Sequence, residues 1–176
     1  MKTSINSRMA SLRDAGMLSA VDRPGMVRSG LINEFYKVRQ GIDPVNHYHP
    51  LIDKVLDETS GFVVYQEQIM FLYSILCNMT LEETDGVRKV FTKKQTWNVE
   101  KMKTLLHDHC MTRKDFVDNV PDKYSSPEEC FDDMWLGLSR TAEYVFNKSH
   151  GLGYGMITSI EQYFKWKYPS EFITAS

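Results

Sequence analysis

The stretch from Asn147 to His150 sets an amide, an ammonium, a hydroxyl and an imidazole side by side, between Phe146 and glycines at positions 151, 153 and 155. These groups donate hydrogen bonds and one is cationic, so the chemistry open to them is the holding of an anion. The alternating glycines suit a turn better than a packed helix. A second concentration of charge lies upstream, where Arg88, Lys89, Lys93, Lys94, Lys101 and Lys103 fall within 16 residues whose single acid is Glu100. Lys89 and Lys93 are one helical turn apart with Arg88 adjacent, so a helix here presents a compact positive face. Cations at that end also complement the helix dipole, and spacing alone leaves a solvated helix end and a phosphate site both open.

Other chemistries find less support. His107, Asp108, His109 and Cys110 are consecutive, but on a helix positions two apart diverge by about 200°, so the two histidines do not converge on one ion. His47 and His49 sit beside prolines and read as hydrogen-bonding turn residues. The acids between Asp115 and Asp133 read as a solvated loop and helix start. "GLGYG" lacks the G-x-G-x-x-G spacing, and no G-x-x-x-x-G-K-[ST] loop occurs. No catalytic nucleophile and no metal ligand is assigned.

The elements that must position these groups are helical. Ile69, Leu72, Leu76 and Met79 recur at spacings of three and four and form one apolar face. Thr80 and Glu83 make a T-x-x-E capping box, which predicts a helix from about Leu81 with Val87, Val90 and Phe91 inward. A third helix is expected from Trp97 to about Cys110, through Val99, Met102 and Leu106. Ser126, Pro127 and Glu129 announce another, whose apolar face is Phe131, Met134, Trp135 and Leu138. After the glycines, Met156, Ile160, Tyr163 and Phe164 give a last amphipathic helix that ends before Pro169. The N-terminal quarter is rich in Gly and Pro and reads as a loop-bearing segment with short helices. One mostly α-helical domain is expected.

Composition bounds the setting. The chain has 176 residues, 42% of them apolar, and a formal net charge of −2, which argues against a uniformly basic nucleic-acid coat. Three cysteines, odd in number and far apart, point to a reducing compartment, and no apolar run approaches the roughly 20 residues of a membrane helix. A cytoplasmic protein without a membrane partner is expected.

Taken in order, "RPGMVRSG" (23–30), "HP" (49–50), "GFVVYQEQIM" (61–70), "VRKVFTKK" (87–94), "VFNKSHGLGYG" (145–155) and "YFKWKYPSEF" (163–172) resemble the fingers region of the bacterial replicative DNA polymerase III alpha subunit, the C-family polymerases. The likeness runs from about Val21 to Phe172. It implies a helical fingers domain over residues 23–176 after a leader of residues 1–22. By motif it also implies that Arg88, Lys89, Lys93, Asn147, Lys148, His150 and Tyr154 bind the incoming deoxynucleoside triphosphate; Lys94, with Lys101 and Lys103 of the same cationic stretch, is expected to contact DNA. Gln66 and Glu67 belong to the YQEQ helix, expected to be at least partly architectural. Cations converging on a triphosphate favour both its binding and the charge developing on the leaving pyrophosphate.

The departures carry expectations of their own. Gly151, Gly153 and Gly155 stand where the family commonly has alanines, so the helix after FNKSH is expected to start late or be loose. Lys89 replaces a second arginine of many members, losing a bidentate contact, and Met26 replaces a proline. The family's palm aspartates, which hold the catalytic metals, lie upstream of RPG, and the 22 residues before Arg23 contain no D-x-D pair. The expectation is a fingers portion of a split polymerase, as in a phage, inactive alone. It would bind no cofactor itself, with Mg2+ entering through a separate palm polypeptide. The alternatives are a noncatalytic DNA- or replisome-binding module and an inactive remnant.

Overall fold

Each helix begins where local chemistry satisfies its free amides. The computed structural model describes residues 11–93 and 96–175. Helix α1 (Leu12–Val21) opens with a capping box between Ser11 and Asp14. Helices α2 (Pro24–Ser29) and α3 (Leu31–Gln40) meet at Gly30, whose φ of 79° ends one and starts the other. Helix α4 (Pro50–Leu56) is capped by the His49 ring, and a short 3₁₀ turn follows it at Asp57–Thr59. Helix α5 is Gln66–Cys77 and α6 is Leu81–Thr92. The predicted Thr80–Glu83 box is formed, with Thr80 Oγ1 accepting from Glu83 N and Glu83 returning a bond to Thr80 N. Helices α7 (Thr96–Thr112) and α8 (Lys114–Val117) precede α9 (Pro127–Ala142). Ser126 caps α9, while the Glu129 carboxylate reaches back to Ser125 N rather than to the cap residue. Helix α10 is Lys148–Lys167, and Pro169 begins α11 (Pro169–Ala175).

The chain builds two apolar clusters. One gathers α4 to α9 around Ile52, Leu56, Leu76, Leu106, Phe116, Phe131 and Met134, each 1% exposed or less. Full burial of side chains of this size contributes about 1.5–3 kcal/mol apiece. The predicted inward residues of α5, α6 and α9 are there except Val90, which is half-buried; Met79, just past α5, and Trp135 pack against the cluster partly covered. The other cluster gathers α1, α2 and α3 around Val21, Phe35 and Met17.

A pair of extended segments forms the seam between them. Phe62 and Val64 point into the smaller cluster and Val63 into the larger, as period-two alternation requires. Val145 and its neighbours Tyr144 and Phe146 divide in the same way. The segments pair as an isolated parallel bridge at Tyr65 and Phe146, through Gln66 N to Phe146 O at 2.9 Å and Phe146 N to Val64 O at 2.9 Å. Arg23 of the RPG motif locks this seam. Its guanidinium donates to the carbonyls of Ala20 and Tyr144 and lies 4.6 Å from the centre of the Phe146 ring.

Helix α1, within the segment read as a leader, packs along α10. They approach backbone to backbone: a Cβ at Gly155 would lie 2.6 Å from Gly16 N, and one at Gly151 would lie 3.1 Å from Gly16 O. This corrects the expectation of a turn at the glycines followed by a late or loose helix. The glycines lie inside α10 from its first turn: at Gly155 α1 crosses closer than any Cβ allows, and at Gly151 a Cβ would be tight against the Gly16 carbonyl. Beyond that crossing, α10 and α11 expose Met156, Ile157, Ile160, Trp166 and Ile173.

Candidate functional site

Two helix starts meet beside the seam, and a third helix packs against one of them. Pairing of residues 64–66 with Phe146 fixes the start of α5 next to the start of α10, and α6 packs on α5. The YQEQ motif therefore sits between the two basic motifs and contacts both. Gln66 Oε1 accepts from Arg88 Nη1 at 3.1 Å. The next residue, Glu67, accepts from Lys148 N at 3.0 and 3.2 Å and from Asn147 Nδ2 at 3.2 Å.

The last residue of the motif is a scaffold. Gln68 is buried, its Oε1 accepts from Val64 N and Tyr65 N at 2.8 and 2.9 Å, and its Nε2 donates to Val55 O and Thr59 Oγ1 at 2.9 and 2.8 Å. It thus satisfies the backbone of the extended seam, which has no ladder partner on that edge. The architectural expectation for this helix stands on that residue.

On the α6 side, the Asp85 carboxylate gathers Arg88, through Nε at 2.8 Å and Nη2 at 2.7 Å, and Lys89, through Nζ at 2.6 Å. Hydrogen bonds from Lys89 and then Arg88 hold that carboxyl below its ordinary range. Lys93 closes α6 with its amide on Lys89 O, and its side chain is exposed. Lys94 lies outside the described residues. Lys101 and Lys103 are on α7, where Lys103 faces Asp132 of α9 at 3.7 Å.

On the α10 side, Asn147 is the N-cap, its Oδ1 accepting from His150 N at 2.9 Å and Ser149 Oγ at 2.6 Å. Lys148 Nζ donates to Glu58 and lies 5.4 Å from the centre of the Tyr65 ring. Burial, then Glu58 and Glu67, push the Tyr65 phenol up to about 12. His150 meets Phe146 at 5.3 Å and Tyr154 edge-on at 4.6 Å. Asn147, Ser149, His150, Gly153, Tyr154 and Ile157 line an open depression that offers aromatic edges beside polar groups. That arrangement can take a planar ring or an anion.

Arg88 and Lys89 are thus together, as are Asn147, Lys148, His150 and Tyr154, and the two groups flank successive residues of α5. Spacing alone missed the acids that engage them. Asp85 was legible, since it lies three and four residues before Arg88 and Lys89 on one helix. Glu58 is 90 positions from Lys148, and nothing local announces the pair.

The remaining candidates have other roles. The His49 ring is buried and stacked 4.3 Å from Phe116, with Nδ1 accepting from Leu51 N and Nε2 donating to Phe116 O. Cys77, Cys110 and Cys130 are buried and free, and burial pushes their thiols up to about 11, 12 and 11. Such thiols are poor nucleophiles at neutral pH. Among the described residues, no helix is long and apolar enough to cross a membrane.

Comparison with known proteins agrees with this reading of the motifs. Residues 1–114 match the family described as the bacterial DNA polymerase III alpha subunit finger domain. The DNA polymerase III subunit alpha of Aquifex aeolicus is 35% identical over 162 residues, 92% of this chain and 13% of the relative. That of Campylobacter jejuni is 33% identical over 174 residues, 98% of this chain and 14% of the relative, and that of Caulobacter vibrioides is 32% identical over 169 residues, 96% and 14%. The chain therefore spans about one-seventh of the length of the curated relatives it matches, and those matches take in the FNKSH region beyond residue 114. By that match and by its helical architecture, the chain belongs to the bacterial DNA polymerase III alpha subunit finger domain family.

Proposed function

We propose that this chain is the fingers portion of a C-family DNA-directed DNA polymerase, cytoplasmic and phage-type, which binds the incoming dNTP and the primer-template during DNA replication. The observation that carries the reading is the placement of Arg88 and Lys148 against Gln66 and Glu67, two adjacent residues of α5, so that both basic motifs flank one helix start. Their present partners are carboxylates at a partly exposed surface, where solvent screens an ion pair and leaves it weak. A triphosphate, with several charges and acceptor oxygens, can replace them. In this arrangement Arg88 supplies a planar fork, Lys89, Lys93 and Lys148 supply point charges, and His150 and Tyr154 offer rings to the base. Lys94, Lys101 and Lys103 serve the DNA backbone.

Among the described residues no three His, Cys, Asp or Glu side chains are grouped to hold a metal ion. The Mg2+ ions that in-line phosphoryl transfer uses are assigned to aspartates of a separate palm polypeptide. The test is incorporation by a hybrid enzyme, in which this chain takes the place of the matched segment of the Aquifex aeolicus subunit. Removal of a charge-assisted contact costs about 1.5–3 kcal/mol, so Arg88→Ala and Lys148→Ala are each expected to lower kcat/KM for dNTP by roughly 10- to 100-fold. Unchanged incorporation would sink the site assignment.

A second reading, a noncatalytic DNA- or replisome-binding module, is favoured by one observation: Arg88, Lys89 and Lys148 are all engaged by acids of the same chain. It requires salt-sensitive DNA binding that ignores added nucleotide.

A further inference from the structure

We propose that Glu67 is a built-in competitor for the nucleotide: its carboxylate stands at the amide end of α10 where a phosphate oxygen would bind, and it keeps that wall closed to small anions. The inference rests on the nucleotide-site reading above and adds how the site is held before nucleotide arrives.

The geometry is that of a bound anion. Both oxygens of Glu67 accept from Lys148 N, the first amide of a 20-residue helix, and one also accepts from the Asn147 amide. Helix N-termini present unpaired N–H groups and partial positive charge, and a carboxylate satisfies them as phosphate does. Glu67 is held there by the seam, because the Gln66 N to Phe146 O bond sets the following residue beside Asn147. Glu58 completes the closure by taking the Lys148 ammonium, and Glu58, Glu67 and Lys148 line one shared depression. Asp57 and Lys54 line the same depression, so three carboxylates stand against two ammonium groups and a helix end, which leaves this wall with no net attraction for a monoanion. A ligand with three or four charges, which also reaches Arg88, gains enough elsewhere to displace them. The acids therefore set a charge threshold for entry.

The experiment is calorimetric titration of the intact chain with inorganic tripolyphosphate at fixed ionic strength, comparing wild type with Glu67→Gln, Glu58→Gln, Lys148→Ala and, as a control for net charge, Asp122→Asn. Glutamine keeps the shape of Glu67 and an acceptor oxygen for Lys148 N, and far-UV circular dichroism checks that each variant is folded. Glu67→Gln and Glu58→Gln are each expected to bind tripolyphosphate roughly two- to fivefold tighter than Asp122→Asn, and Lys148→Ala more weakly than wild type. If Lys148→Ala weakens binding while both glutamine variants match Asp122→Asn, the competitor role is overturned and the site stands. If Lys148→Ala binds as wild type does, the site reading fails, and this inference with it.

Discussion

Alanine at two neighbouring glycines of α10 is expected to change stability in opposite directions. Gly153 and Gly155 share a helix, a composition and nearly a position, so propensity predicts the same benefit from each, about 1 kcal/mol for replacing glycine in a helix interior. What differs is the space at Cβ. At Gly153 nothing lies within 4 Å, so Gly153→Ala should deliver most of that gain. At Gly155 the new carbon would stand 2.6 Å from Gly16 N, 2.9 Å from Gly16 Cα and 3.2 Å from Leu12 O, all backbone atoms of α1 or its start. Backbone cannot rotate aside as a side chain can, so α1 must move as a unit. Overpacking of this kind costs about 1–3 kcal/mol, and its upper part applies here, leaving a net loss of about 1–2 kcal/mol after the propensity gain. For a chain of this size each kcal/mol moves Tm by about 2–4 °C, so thermal denaturation should show Gly153→Ala raised by about 2–4 °C and Gly155→Ala lowered by about 2–8 °C. Equal shifts of the same sign would refute the close crossing of α1 and α10.

Gln68→Leu removes the acceptor of Val64 N and Tyr65 N and the donor to Val55 O and Thr59 in a buried place, so a loss of about 3 kcal/mol is expected, read as a Tm about 6–12 °C lower. Burial holds His49 below its ordinary pKa; Arg113 pulls the same way, while the Phe116 hydrogen bond, Asp53 and Asp115 pull upward without reversing it. Below about pH 6.5 the unfolded chain takes up a proton that folded His49 refuses, so stability falls with pH there by up to about 1.4 kcal/mol per unit. His49→Asn, which keeps an N-cap acceptor, should flatten urea-denaturation stability between pH 7.5 and 5.5 relative to wild type, and parallel profiles would contradict the assignment.

How far the sequence spoke for the fold depended on whether a signal was local. Thr80 with Glu83, and Ser126 with Pro127, announce α6 and α9 because a cap and its amide lie within one turn. The start of α10 reads as a turn in the sequence, because Gly151, Gly153 and Gly155 look like turn residues until Gly16, on the opposite helix, shows what Gly151 and Gly155 face. The candidate site divides in the same way. Asp85 could be paired with Arg88 and Lys89 by helical spacing, whereas the contacts of Glu58 and Glu67 with Lys148 exist because the seam at Val64 to Gln66 and Phe146 brings distant segments together. Long-range pairing of short extended segments leaves little trace in composition or periodicity.

The most direct test of the central claim is the affinity of the hybrid enzyme for a primer-template, measured by fluorescence anisotropy with and without the next complementary dNTP. The account predicts that nucleotide tightens DNA binding and that Arg88→Ala or Lys148→Ala abolishes the tightening while leaving most of the nucleotide-free affinity. Binding that depends on salt yet is the same with and without nucleotide would contradict it and establish the noncatalytic module instead.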